Sequence, residues 1–547
     1  MRKLLLLSLP IILALAGCGP RTPKESSSSE SLLSSSDETT SSVISSETSE
    51  SSESSESSES TIPEPTEYVF DHEYQGNMVH VSKINEETQE EEELDEYKIY
   101  SETHVYKNDY FLHDSSVFDV DLAALSLGLS VATGPLDYVE PENAEEESMD
   151  VEGYENVESF MEKMHFDDIY INEYFKENET EDTAGFALGH RHFDDIELVA
   201  VAIRGFDYGD EMKGNFKLGK TGNASGFNSG MQMVYDGLSQ YISNSVSDAR
   251  LKLWITGYSR GGAIANLLGA KINDEIDSGI CPWDLDKGNT FVYTFATPKG
   301  LTADNVSDYE NIYNIIHLYD GVTQVAPSAY NLKRCGTDIV LHDDNELTLL
   351  NEYDEDIVIK PFAQKSMSLD FKPKDVENPT YTSILDLYNS LFTNLLAERT
   401  DTKYLDISTR ENYVDNFEPT IMYAFNIYNG LTKQQKDALG AYFEDNLSSM
   451  IGNILGILFN TKDSVYKILK PALESIGLTF NEEEDAELKE HSAVIQKLVY
   501  TLLGNYNTEG SDLFGDIGTM MENAKYMTVM HTPEMMYTMF HNNLVTI

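Results

Sequence analysis

Gly257-Tyr258-Ser259-Arg260-Gly261 lies between a short β-rich run, Leu251–Thr256, and an Ala/Leu-rich helical pattern that reaches Ala270. A serine at a sharp strand-to-helix turn has its hydroxyl exposed beside a helix N-terminus, whose free N–H groups favour developing negative charge. Glycines two residues to either side leave room for that turn, because a Cβ there would strike the strand or the helix. The chemistry this spacing suits is nucleophilic: transfer of an acyl group to Ser259, with a histidine as base and a carboxylate to orient it. A glycine-rich turn with an incidental serine carries the same letters, so the rest of the chain has to supply the partners.

Those partners need elements to hold them. Ile196–Arg204 (I-E-L-V-A-V-A-I-R) is a nearly continuous apolar run, fit for a strand buried on both faces, and it leads into Gly205-Phe206. Phe227–Ile242 reads as a helix, Thr290–Ala296 as a strand followed by Thr297-Pro298-Lys299-Gly300, and Asn311–Tyr319 as a strand ending at Asp320. Strands alternating with helices of this length predict an α/β fold with a mainly parallel sheet covered on both sides. Ligands bind at the carboxyl ends of such strands, and Phe206, Ser259 and Asp320 all follow strand ends. Upstream, Val120–Ala132 reads as a helix with Leu122, Leu125 and Leu129 on one face. A second is expected over Val157–Ile171 with Phe160, Met161 and Met164 inward. The acidic runs Glu86–Glu96 and Pro141–Met149 lack the offsets and central glycine of a calcium loop and read as solvated surface.

Four motifs occur in one order: I-R-G-F at Ile203–Phe206, A-S-G-F-N-S-G-M at Ala224–Met231, G-Y-S-R-G-G-A at Gly257–Ala263 and Y-T-F-A-T-P-K at Tyr293–Lys299. In that order the segment Phe186–Tyr330 resembles class 3, fungal-lipase-like α/β-hydrolases. The resemblance implies Ser259 as nucleophile and Asp320 as the acid that orients the histidine. It also implies an oxyanion hole from the backbone N–H groups of Phe206 and Arg260. Many members carry a small hydroxyl residue where this chain has Phe206, so the backbone donor is retained and a side-chain donor is lost. The histidine is expected at His531, whose setting M-H-T-P-E-M-M-Y resembles the family's histidine segment, in preference to His342, His317 or His541. His317 lies inside an apolar strand and reads as a core residue. The order Ser, Asp, His is the one these folds use. The implied activity is carboxylic ester hydrolysis on lipid or acyl-ester substrates, with no metal or organic cofactor required. A surface protein that keeps the scaffold only for binding is the rival.

Placing the base at His531 makes 343–520 a helical insertion and 521–547 a C-terminal segment that completes the site, while 66–342 holds the N-terminal segment and the core. Helices are expected at Ser383–Glu398, Pro419–Asn429, Lys433–Phe459, Ser464–Ile476 and Glu487–Leu503. Met450–Phe459 is apolar nearly all round, as a buried packing helix or the wall or lid of an acyl-chain pocket would be.

The front of the chain bears on compartment. Arg2 and Lys3 precede an apolar run, Leu4–Ala16, too short to span a bilayer, and Leu15-Ala16-Gly17-Cys18 resembles the lipobox of bacterial lipoproteins. Residues 1–18 are therefore expected to act as a signal peptide with lipidation at Cys18. Residues 19–65, Ser/Glu-rich over Glu25–Thr61, are expected to form an extended tether that cannot bury a core. The expected location is the outer face of the cytoplasmic membrane. A formal net charge of −58 over 547 residues excludes a nucleic-acid partner, since phosphates would repel it. Oligomeric state is not legible. An extracellular setting permits the two remaining cysteines, Cys281 and Cys335, to pair, and that disulfide is the expectation here.

Overall fold

The structure, a computed structural model, describes residues 66–76, 82–84, 91–93, 99–137, 150–206, 209–246, 250–318, 320–341, 395–458, 461–503 and 530–542. The signal peptide with Cys18, the tether, the acidic loop Pro141–Met149, His342 and most of the Ser383–Glu398 helix lie outside the described residues.

A seven-stranded sheet carries the fold. Its strands are β3 (Asp167–Ile171), β4 (Phe186–Phe193), β5 (Ile196–Ile203), β6 (Arg250–Tyr258), β7 (Thr290–Phe295), β8 (Ile312–His317) and β9 (Thr337–Leu341). They lie side by side in chain order, with β5 to β9 parallel and β3 and β4 joined antiparallel at one edge. An antiparallel pair, β1 (Glu67–Gln75) with β2 (Ile99–Lys107), stands apart from this sheet.

Alternation along the strands sorts their side chains between two cores. Leu198, Ala200, Ala202, Trp254, Phe291, Tyr293 and Phe295 face one side, with α1 (Val120–Val131), α2 (Gly153–Lys163) and the late helix Pro533–His541. Val199, Val201, Ile203, Leu253, Ile255 and Val292 face the other, with α3 (Ser225–Ser245) and α4 (Arg260–Asp277). The central strands are thus buried on both faces, which is why they read as continuous apolar runs.

Helix α1 is buried on all sides, Leu122, Leu125, Leu127 and Leu129 included. Each such leucine contributes about 1.5–3 kcal/mol by leaving water. Asp119 caps its start, accepting from the N–H groups of Asp121 and Leu122. Ser126 keys it to the sheet: its Oγ accepts from Trp254 Nε1 at 2.8 Å and its carbonyl from Thr256 Oγ1 at 3.1 Å.

The second upstream helix departs from expectation. It spans Gly153–Lys163, and Asp167–Ile171 is strand β3 rather than its last turns. His165 and Asp168 adopt positive φ (59° and 45°), which breaks the helix; Phe160, Met161 and Met164 are buried as expected.

Between the core and the C-terminus the described chain is helical: α5 (Arg410–Asn416), α6 (Glu418–Asn429), α7 (Lys433–Leu458), α8 (Tyr466–Ser475) and α9 (Glu482–Leu503). Pro533–His541 is α10. Arg410 fastens the insertion to the core by donating to the carbonyls of Leu218, Gly219, Gly222 and Asn223. Met450 and Ile457 pack with Val465, Ile468 and Ile495 in a core belonging to the insertion itself, as the packing-helix reading requires. No helix among the described residues is long and apolar enough to cross a membrane.

The expected Cys281–Cys335 disulfide is not formed; both thiols are free. Cys335 is buried beside Asn266 in the first half of α4, its Sγ 3.2 Å from Asn266 Oδ1, whereas Cys281 lies beyond the far end of that helix. Asn266 and Asp277 are separated by about 16 Å at 1.5 Å per residue, and a disulfide needs Cα atoms within about 7 Å.

Candidate active site

Ser259 follows the last residue of β6 and has φ 51° and ψ −118°, a strained conformation for a residue with a side chain. The flanking glycines make it feasible. A Cβ on Gly257 would lie 2.4 Å from the carbonyl of Gly261, and one on Gly261 would lie 2.3 Å from the carbonyl oxygen of Ile203. Strand β6, helix α4 and the end of β5 meet here at backbone-to-backbone distance. Ser259 N–H donates to the Phe295 carbonyl at 2.8 Å, which ties the turn to β7.

Asp320 follows β8 and is fully buried. Its Oδ1 accepts from Val322 N–H at 2.8 Å and its Oδ2 lies 2.7 Å from His531 Nδ1. The other imidazole nitrogen, Nε2, lies 2.9 Å from Ser259 Oγ. Three side chains from strand ends and from the turn before α10 therefore form one continuous chain of hydrogen bonds. The carboxylate beside Nδ1 favours the tautomer with its proton there, leaving the Nε2 lone pair for the serine. Ser259 and His531 are 2% and 3% exposed, so these bonds are shielded from competing water.

The other expected positions fall near the serine or away from it. Arg260 opens α4, whose ladder begins with Ala263 N–H donating to the Ser259 carbonyl, so the Arg260 N–H belongs to the helix's first turn. Phe206 follows β5, and its ring packs against Tyr258, tilted by 30° with centroids 5.0 Å apart. Gly205 brings it in: a Cβ there would lie 2.0 Å from the Tyr258 carbonyl oxygen. His317 is fully buried within β8, the core residue expected. His541, at the end of α10, pairs with Glu102 at 2.8 Å and does not enter this chain of bonds. His342 lies outside the described residues.

Two features of the site escaped the sequence. Tyr258 Oη donates to the His531 carbonyl at 2.9 Å. Glu211, fully buried, pairs with Arg204 (2.9 Å) and sits 3.8 Å from Arg260 Nε, so one carboxylate joins the strand end that leads to Phe206 with Arg260 itself. Burial pushes the Glu211 carboxyl up, against the pull of the two guanidinium groups. Only the spatial proximity of distant segments signals either contact.

The model of the lipase (class 3) family matches residues 204–330, which hold Ser259 and Asp320. The chain has a lipase-like α/β-hydrolase fold. Similar solved structures include the propeptide complex of Rhizomucor miehei lipase (14% identity, 41% of this chain, 69% of that chain, TM-score 0.28). Lip2 lipase from Yarrowia lipolytica also matches (16% identity, 41% of this chain, 79% of that chain, TM-score 0.27). So does a lipase from Rhizopus microsporus var. chinensis (15% identity, 41% of this chain, 75% of that chain, TM-score 0.26). Likeness at this level says nothing of substrate. No curated protein matches the chain.

Proposed function

We infer that the chain is a serine carboxylic-ester hydrolase of lipase or esterase type, working through an acyl-enzyme on lipid or acyl-ester substrates outside the cell. The observation that carries this reading is the unbroken Ser259–His531–Asp320 chain of hydrogen bonds at the carboxyl edge of the sheet.

The chemistry follows from the geometry. As Ser259 Oγ bonds to the ester carbon, its proton passes to His531 Nε2 and the carbonyl π pair moves onto oxygen. The resulting oxyanion is held by the N–H groups of Arg260 and Phe206, each donor contributing about 3 kcal/mol. Asp320 stabilises the imidazolium without accepting its proton. Collapse expels the alcohol, which takes the proton from Nε2. Water then attacks the acyl-serine with His531 as base again, and carboxylic acid leaves. No step calls for a metal or an organic cofactor.

The lipobox-like Leu15-Ala16-Gly17-Cys18 and the Ser/Glu tether support a location on the outer face of the cytoplasmic membrane, with the catalytic part held off the bilayer. Acylglycerols, phospholipids and other esters near that surface are the substrate classes this suits. A binding protein on the same scaffold would have no need of a base aligned on Ser259. The deciding experiment compares wild type and Ser259→Ala for hydrolysis of p-nitrophenyl acyl esters and for fluorophosphonate labelling. The variant should lose both, and undiminished turnover would refute the assignment.

A further inference from the structure

The base in this site comes from a segment far along the chain, and a turn ahead of a helix is by itself a loose support. Tyr258 supplies a firmer one. It is the last residue of β6, paired in register with Phe295 of β7, and its neighbour Gly257 pairs with Ile203 of β5. The backbone there is pinned from both sides. Its side chain is fully buried, donates through Oη to the His531 carbonyl, and sets its ring edge-on to the imidazole with centroids 5.8 Å apart. The opposite end of the same histidine reaches Ser259. Two consecutive residues of one strand end therefore grip His531 at two points, one by its backbone and one by its ring. The same tyrosine ring backs Phe206.

We propose that Tyr258 is a positioning residue for the reaction: its hydroxyl holds the His531 backbone in register with Ser259, and its ring supports the segment that presents the Phe206 N–H. The proposal rests on the hydrolase reading and adds a residue to it. Tyr258 touches no reacting atom. It acts by fixing where Nε2 stands, and an error of about 1 Å in such a group can cost about 100-fold in rate.

The test uses the full chain with a soluble p-nitrophenyl ester. Tyr258→Phe removes only the O–H. Its kcat should fall about tenfold or more with KM held within about twofold, as for an interaction that matters in the transition state. Fluorophosphonate labelling should slow in parallel. Placing p-aminophenylalanine at position 258 restores a donor at the same place and should recover most of kcat. Ser126→Ala serves as the control: it removes the partner of Trp254 Nε1 in the same core and touches none of the three site residues. It should melt lower while keeping its kcat. A folded Tyr258→Phe with wild-type kcat, melting lower as Ser126→Ala does, overturns the proposal. So does failure of the amino analogue to recover turnover. If Tyr258→Phe does not fold, Tyr258→His takes its place, since its ring nitrogens stop short of that carbonyl; wild-type kcat in that variant also overturns the proposal. Full activity in Ser259→Ala would instead remove the hydrolase reading, and this proposal with it.

Discussion

Asp320→Asn is the sharpest probe of how the site sets its base. The change is isosteric, so the question is which way the amide turns. One carboxylate oxygen accepts from Val322 N–H at 2.8 Å and the other faces His531 Nδ1 at 2.7 Å. With the amide oxygen toward His531, the NH2 group would meet the Val322 N–H donor to donor, a loss of about 1–3 kcal/mol for a buried group. With the NH2 toward His531, the Val322 bond is kept and Nδ1 becomes an acceptor. The second arrangement leaves every hydrogen bond made, so it wins. It moves the imidazole proton to Nε2, the nitrogen that must be bare to take the serine proton. A tautomer set wrongly in this way costs serine hydrolases about 10⁴-fold in kcat, or about 5 kcal/mol of transition-state stabilisation. Steady-state hydrolysis of a p-nitrophenyl ester at neutral pH measures it, with a melting curve to show that the fold survives. A kcat within about tenfold of wild type would mean that Asp320 does not set the tautomer of the base, and the mechanism above would fail at that step.

Three further outcomes follow from the geometry. Gly261→Ala places a Cβ 2.3 Å from the Ile203 carbonyl oxygen and 2.8 Å from that of Arg204, backbone atoms that cannot swing aside. Urea unfolding should show a loss of about 1–3 kcal/mol or more. Gly440→Ala in α7, which meets nothing within 4 Å, should be neutral or gain up to about 1 kcal/mol. The hydrogen bond that His541 Nε2 donates to Glu102 raises the His541 pKa above its ordinary value. Its contribution is therefore full below about pH 6.5 and is lost as pH rises through the folded-state pKa. Melting curves should show His541→Gln less stable than wild type near about pH 6 and equal to it near about pH 9, by less than about 1 kcal/mol since the ring is half-exposed.

The sheet's central strands were legible because burial on both faces leaves nothing polar to interrupt them. β1 and β2 were not, for a physical reason: their inward positions include His72, Glu102 and His104, so the two-residue alternation is written in polar letters. β3 was merged into the preceding helix because the break falls on His165 and Asp168, with no glycine or proline to announce it. Ser259 and Asp320 were read from the strand ends they follow together with the family resemblance, and His531 only from the likeness of M-H-T-P-E-M-M-Y to the family's histidine segment. The Tyr258–His531 bond spans 273 positions, and no local pattern encodes that distance. The pairing expected of Cys281 and Cys335 rested on compartment, which permits a disulfide but does not bring two thiols together.

His531 stands 211 positions after Asp320, on the short stretch that enters α10, and α10 docks against α1 from the beginning of the folded chain. At ribosomal speeds of about 5–20 residues per second, roughly 10–40 s pass between synthesis of the acid and synthesis of the base. A nascent chain can complete its sheet and nucleophile turn in that interval and still be chemically inert. On the hydrolase reading, the segment that enters α10 brings the base, and the nucleophile turn has no proton acceptor until that segment docks.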